Sequence, residues 1–357
     1  MGHVSAMTAD NVTLPKPAQR IASIDQLRGY AILGMLVVNY FGSFSLSWRQ
    51  LHHHREFMTY ADTIAPLFVF VVGMAMRLSI TRRIGQVGLA KARRSAFRRY
   101  CLLVLIAFTI YAGYLWDALM DIGLAGLLAI LVIDKKPSVR IFTGVLLLAA
   151  YQLTFSFTSY GGWLVGSVDY SKEGALPFIF KLIPMGPELV KCNINGGPVG
   201  PLSWCFMLLC GTVAYDLLAA GDTTKVVRGC LAWGAALCAA GFSLRLEWAG
   251  TKAAWPFSQY WMTAPYALWA SGLCFLTLLA FYALCDVLDI RIPHLTVLGQ
   301  NPLFIYILQY LIMDSAERFL PEHTSFLPGV LVGFAVFYAA CYGSACYLHQ
   351  KGIIVKL

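Results

Sequence analysis

The sequence predicts an all-α polytopic membrane bundle, and three observations carry that expectation. Hydrophobic residues make up 59% of the 357-residue chain and charged residues only 13%, against roughly 25% charged in soluble domains. Apolar runs of about 20 residues, the length that crosses a bilayer, recur along it. Basic residues gather on alternate connections between those runs. A soluble chain this apolar would lack the polar surface to cover its core, so ordinary globular, disordered and collagen-like classes are excluded. The net charge of +9 then reports loops that face the cytoplasm, and no nucleic-acid partner is expected.

Taken in order, residues 1–20 read as a cytoplasmic tail. Pro15, Lys16 and Pro17 interrupt it and it holds no apolar run, so no cleavable signal peptide is expected. A single transmembrane domain follows over 21–350. Its spans are expected near 27–46, 59–80, 100–116, 118–133, 139–156, 201–218, 227–246, 261–284, 295–314 and 326–348, about ten in all. The shortest connection is the turn near Asp117 and Asp121. With a cytoplasmic N-terminus, 19 of the 27 Lys and Arg fall on the inner side. That bias fixes the orientation and, with an even span count, puts both termini inside. Nine of the ten cysteines lie in or beside spans, where Cys acts as a small apolar residue. Cys192 alone sits in an outer loop, so no extracellular disulfide framework is expected.

The densest positive charge is the inner loop from Arg82-Arg83 to Arg98-Arg99. Such a loop suits topology and contact with anionic lipid, and its guanidinium forks also match phosphate. On the outer side the stretch 157–200 is unusually long and rich in Gly and Pro. It includes Trp163, Asp169, Lys172, Glu173 and the apolar run LPFIFKLIP, and reads as a lid, an acceptor-binding element or a passive interfacial segment.

Polar groups at membrane depth are costly, so they line cavities or bond neighbouring helices. Asn39 lies in the first span and Asp62 near the outer end of the second, four residues before Pro66. Gln152, Gln300, Asn301 and Gln309 recur later. Between the first two spans stand His52, His53 and His54. Adjacent residues point in different directions and no carboxylate or i,i+4 His completes a ligand set, so no metal is expected. An imidazole here can take and return a proton near neutral pH, and Asp62 is placed to orient one.

The opening RIASIDQLRGYAILGMLVVNYFG, the outer histidines and TYADTIAPLFVFVVGMAMRLS together resemble the heparan-alpha-glucosaminide N-acetyltransferase family of transmembrane acyltransferases, in a bacterial-type minimal version. Later echoes are DIGLAGLLAIL, GGPVGPLSWCFMLLCGTVA and LGQNPLFIYIL. The resemblance is dense over about residues 20–83 and collinear to about residue 310. It implies an integral protein of a bacterial inner membrane that takes acetyl-CoA from the cytosol. The acetyl group goes to an amine or hydroxyl of a sugar or glycan on the outer side. By position the family's catalytic His falls on His52 and its catalytic Asn on Asn39, with Asp62 holding the imidazole tautomer. Where the family has Trp-Asn-Gly after the His, this chain has Arg55-Glu56-Phe57, and the Asn-to-His spacing is slightly longer. His53 and His54 therefore stay open as the base.

CoA is a polyanion, so its nucleotide is expected at the inner arginine-rich face, on Arg77, Arg82 and Arg28, with Asn301 placed beside them. Arg28 equally suits a structural pair with Asp25. Membrane lipid is the remaining expected partner, and self-association into a homo-oligomer is left open. The rival readings are a multi-span solute transporter with a polar midplane site and a non-catalytic membrane module.

Overall fold

The computed structural model describes residues 21–55, 57–110, 115–166, 194–245, 255–316, 322–324 and 326–355. The N-terminal tail and most of the long outer stretch, including Asp169, Lys172, Glu173, LPFIFKLIP and Cys192, lie outside the described residues. The longer elements are α1 (Ala22–Gly42), α2 (Ala61–Val87), α3 (Leu89–Ile110), α4 (Ala118–Ala129), α5 (Pro137–Phe157) and α6 (Ser159–Val165). They continue with α7 (Pro201–Ala219), α8 (Thr223–Arg245), α9 (Ala264–Tyr282), α10 (Pro293–Gln300), α11 (Pro302–Ala316) and α12 (Leu327–Gln350). No strand occurs among the described residues.

Six of these helices, α2, α5, α7, α8, α9 and α12, are long and apolar enough to cross a membrane. The chain is a polytopic helical membrane protein. Helix α7 is its axis: it is buried along most of its length and packs on α2, α4, α5, α8 and α9. Around it, side chains such as Leu105, Phe142, Leu153, Leu331 and Val336 point outward, as lipid-facing residues must where hydrocarbon replaces water.

Three expected spans and one connection differ from the helices observed. The span expected at 295–314 is broken: α10 and α11 meet at an 85° bend, because Pro302 disfavours helical backbone at Asn301. Helix α4 has 12 residues, about 18 Å of rise against a hydrocarbon core of roughly 30 Å. The basic connection between the second and third spans is helical rather than a loop. Helices α2 and α3 run through it and turn at Gly88, whose φ of +80° suits glycine. Finally, α1 begins five residues before the expected start. Its first amides, Ala22 N and Ser23 N, donate to the Asp286 carboxylate at 2.9 and 3.1 Å. That carboxylate satisfies the orphan donors of a helix end, and it comes from 264 residues away, where no local signal reveals it.

Two motif glycines are close-approach sites. A Cβ on Gly29 would stand 1.9 Å from the Leu295 carbonyl oxygen, and one on Gly73 would stand 2.0 Å from that of Leu208. They let α1 cross α10 and α2 cross α7 backbone against backbone, as small residues do in membrane bundles. Gln26 locks the first crossing, donating to the Ile292 carbonyl and Thr296 Oγ1 and accepting from Ile292 N.

Candidate active site

The site begins with the proline in α2. Pro66 has no N–H, so the Asp62 carbonyl one turn before it loses its helical partner. The buried Tyr266 hydroxyl of α9 donates to it instead, at 2.8 Å. The Asp62 side chain is fixed just as firmly. Thr59 N donates to its Oδ2 at 2.8 Å, the reach-back of a capping box, and Thr59 Oγ1 stands 3.0 Å from the same oxygen. Asp62 is buried, and one carboxylate oxygen remains for a further partner.

That partner is His53, whose Nδ1 lies 2.6 Å from Asp62 Oδ1. A carboxylate only accepts, so Nδ1 carries a proton, and in the neutral ring Nε2 keeps a free lone pair. The His53 ring also meets the edge of Tyr260. Burial pushes the Tyr260 phenol up, the Arg55 guanidinium stacked on its ring draws it down, and the net shift is upward, so it stays a neutral wall.

The other two histidines face elsewhere. His52 has extended backbone, and its Nε2 lies 2.6 Å from Ser47 Oγ. His54 stacks on Phe57 with ring centroids 4.1 Å apart. Successive side chains of an extended segment alternate, so Asp62 engages the middle one.

His53 opens onto a cavity of about 350 Å³. Asn39, near the end of α1, lines it together with Asp117, Asn195, Gln259 and Gln309, and Trp204, Phe68 and Met313 give it an apolar floor. Asp117 caps α4 through Ala118 N at 2.7 Å and accepts from the Tyr306 hydroxyl at 3.3 Å. Asn195 takes a hydrogen bond from Gln259 Nε2 at 2.9 Å and donates to the Trp116 carbonyl at 3.1 Å. One turn deeper than Asp117, Asp121 is buried with neither carboxylate oxygen hydrogen-bonded. Asn195, Gln259 and Asp117 were not legible as site residues. Asp117 reads as turn material, and the other two sit in loops that come together only in the fold.

At the opposite end of the bundle, Arg77, Arg28 and Asn301 bond within the protein. Arg77 donates from Nε to Asp216 Oδ1 at 2.8 Å and from Nη1 to the Ile133 carbonyl at 2.6 Å. The buried Arg140 bonds the other oxygen of Asp216. Arg28 is 3.5 Å from Asp25 and 3.4 Å from the Gly299 carbonyl. Asn301 holds the C-terminal segment, donating to Ile353 O at 3.0 Å and accepting from Val355 N at 2.8 Å. Arg82 is exposed, as are Arg83, Arg94, Arg98 and Arg99.

Residues 20–184 match the family model described as heparan-alpha-glucosaminide N-acetyltransferase, catalytic. Over that stretch the chain is similar to the family. It holds α1 to α6 and, within them, Asn39, the three histidines and Asp62. The human heparan-alpha-glucosaminide N-acetyltransferase is 34% identical over 98 residues, which cover 27% of this chain and 14% of that protein. An uncharacterized 39.9 kDa protein from the amylase 3' region of Bacillus acidopullulyticus is 28% identical over 139 residues, 36% of this chain and 39% of that protein. The matched part thus spans well under half the length of either relative.

Proposed function

We propose that this protein is a membrane acetyltransferase that moves an acetyl group from cytosolic acetyl-CoA to an amine or hydroxyl of a sugar or glycan outside. One observation carries the reading. Within the segment matched to the acetyltransferase family, an Asp-held imidazole presents a bare nitrogen to a cavity that Asn39 shares. The reading places the multi-pass bundle in a bacterial inner membrane with both termini inside.

In this reading His53, not His52, is the base. The acceptor heteroatom gives its proton to His53 Nε2 as it bonds the acetyl carbon. The C–S bond then breaks, and the imidazolium returns the proton to the CoA thiolate. Asp62 favours the tautomer with Nδ1 protonated and stabilises the imidazolium once it forms. Asn39 donates an amide N–H to the reacting oxygen or to the acceptor.

The separation of Asp62 and Arg82 supports a two-sided route. They lie on one helix, about 30 Å apart by helical rise, close to the thickness of the hydrocarbon core. A base at one end and exposed arginines at the other suit a coenzyme whose polyanion stays in the cytosol while its thin arm enters the bundle. The exposed Arg82 is then a contact for phosphate, and the less exposed Arg77, Arg28 and Asn301 serve the scaffold.

The test is transfer of label from radiolabelled acetyl-CoA by purified protein to a panel of amino sugars and glycans. The expected result is an acetylated acceptor whose formation is lost in His53→Ala and kept in His52→Ala. Uptake of a solute into vesicles without label transfer would instead support a transporter.

A further inference from the structure

Five amide side chains are buried among the described residues: Gln26, Gln152, Asn195, Gln309 and Asn301. Four hold something. Gln26 locks α1 to α10, Gln152 accepts from Ala264 N and donates to Ser156 Oγ, Asn195 bonds Gln259 and Trp116, and Asn301 holds the C-terminal segment. Gln309 differs. It is 2% exposed, its Oε1 is buried without a partner, and no hydrogen bond among the described residues engages either end of its amide. A buried polar group left unpaired costs on the order of 1–3 kcal/mol, so such a group in a native bundle calls for an explanation.

Its position supplies one. Tyr306, Gln309, Tyr310 and Met313 all line the cavity. They recur at helical spacing, so one stripe of α11 forms its wall. Among the residues that line it Gln309 is buried, whereas Asn39 is exposed and His53 is 34% exposed. An acceptor arriving from the exposed side meets Asn39 and His53 first. A thioester entering through the bundle meets the buried amide.

We infer that Gln309 is a catalytic residue: its Nε2 donates a hydrogen bond to the thioester oxygen and stabilises the negative charge that develops there as the acceptor attacks. This rests on the acetyltransferase reading above. Its Nε2 has no partner among the described residues and belongs to a side chain on the cavity wall, so it is available to donate when the oxyanion forms, while the buried Oε1 stays unpaired. A donor already aimed at the reacting atom in a dry site needs no reorganisation. The protons still run between acceptor, His53 and thiolate; Gln309 only lends a donor.

The experiment compares Gln309→Met and Gln309→Glu with wild type in the label-transfer assay, measuring kcat and acceptor KM, and in thermal unfolding in detergent. Met keeps the length without a donor, and Glu keeps the shape and replaces the donor with acceptor oxygens. Both are expected to lower kcat by ~10²–10³-fold, the scale for one oxyanion donor, with acceptor KM within about threefold. The Met variant should unfold no earlier than wild type, since it removes an unpaired buried polar group. A kcat within about threefold of wild type in either variant would overturn the assignment, as would a Met variant that unfolds early, because Gln309 would then be holding structure. Wild-type protein that transfers no acetyl group would overturn the acetyltransferase reading itself. Transfer that persists in both variants would overturn only the role of Gln309.

Discussion

The two ends of the bundle both hold buried charged and polar groups, yet they use them differently. At the arginine end, Asp216 binds Arg77 with one oxygen and Arg140 with the other, and Asp134 binds Arg93. Positive and negative groups meet there with good geometry, and their bonding is directed inward. At the histidine end, Asp62 is equally well bonded, but the group it holds is not. His53 keeps a lone pair toward the cavity, and Gln309 and Asp121 keep unpaired atoms. The contrast separates polar groups that hold helices together from polar groups reserved for something that enters. Neither burial nor unused bonding capacity alone distinguishes them, since Arg93 Nε and Arg140 Nη1 are also buried without a partner; the cavity that His53 and Gln309 line does.

The largest test of that contrast acts on the histidine end. Asp62→Asn keeps the shape but loses the charge that fixes the imidazole, and kcat for transfer should fall by ~10²–10⁴-fold, with thermal stability nearly unchanged. A variant that unfolds readily yet transfers normally when folded would place Asp62 among the scaffold residues. Next comes the arginine end, where Asp216→Ala leaves two guanidiniums facing each other without their carboxylate. Stability should fall by about 3–5 kcal/mol, read as an earlier unfolding midpoint in detergent. The folded fraction should retain its acetyl-CoA affinity. Lost affinity at unchanged stability would return Arg77 to the coenzyme site.

Smaller effects sharpen the boundary. Tyr266→Phe removes the hydroxyl that replaces the helical donor missing at Pro66, and leaves the Asp62 carbonyl unpaired. The expected cost is about 1–3 kcal/mol, with a modest drop in kcat because the His53–Asp62 pair loses its backbone anchor. The smallest effect is one of pH. Burial by itself would raise the Asp134 carboxyl, but the bonded Arg93, a backbone donor and nearby Lys135 outweigh it and hold the group below its ordinary value. A lowered folded value means the contribution to stability is complete above the unfolded value of about 3.9 and is lost as pH falls through the folded one. Asp134→Asn should therefore flatten the acid limb of the unfolding curve and leave neutral-pH activity unchanged.

Much of this was legible in the chain itself. The helical membrane class follows from composition, and Asp62 stands near the outer end of the second span, where it can orient an imidazole. Asn39, Asp62 and the histidines between them were readable as candidates, and the structure brings Asn39, His53 and Asp62 together. The phosphate roles expected for Arg77, Arg28 and Asn301 met groups that no local pattern announces: Asp216 is 139 residues from Arg77, and Ile353 is 52 from Asn301. Guanidinium forks match carboxylates as well as phosphates, so residue type could not choose between them.

The sequence by itself determined the solvent, the α-helical class and the two residue types, imidazole and carboxylate, that meet at the histidine end. It did so because hydropathy and helix capping act over a few turns. Only the tertiary structure decided which of His52, His53 and His54 faces Asp62, and which buried amide is left without a partner. Those choices depend on the direction of each side chain in an extended loop and on which distant helix supplies the opposing atom. Hydrogen bonds are short and directional, so roles that depend on them are settled where the helices meet.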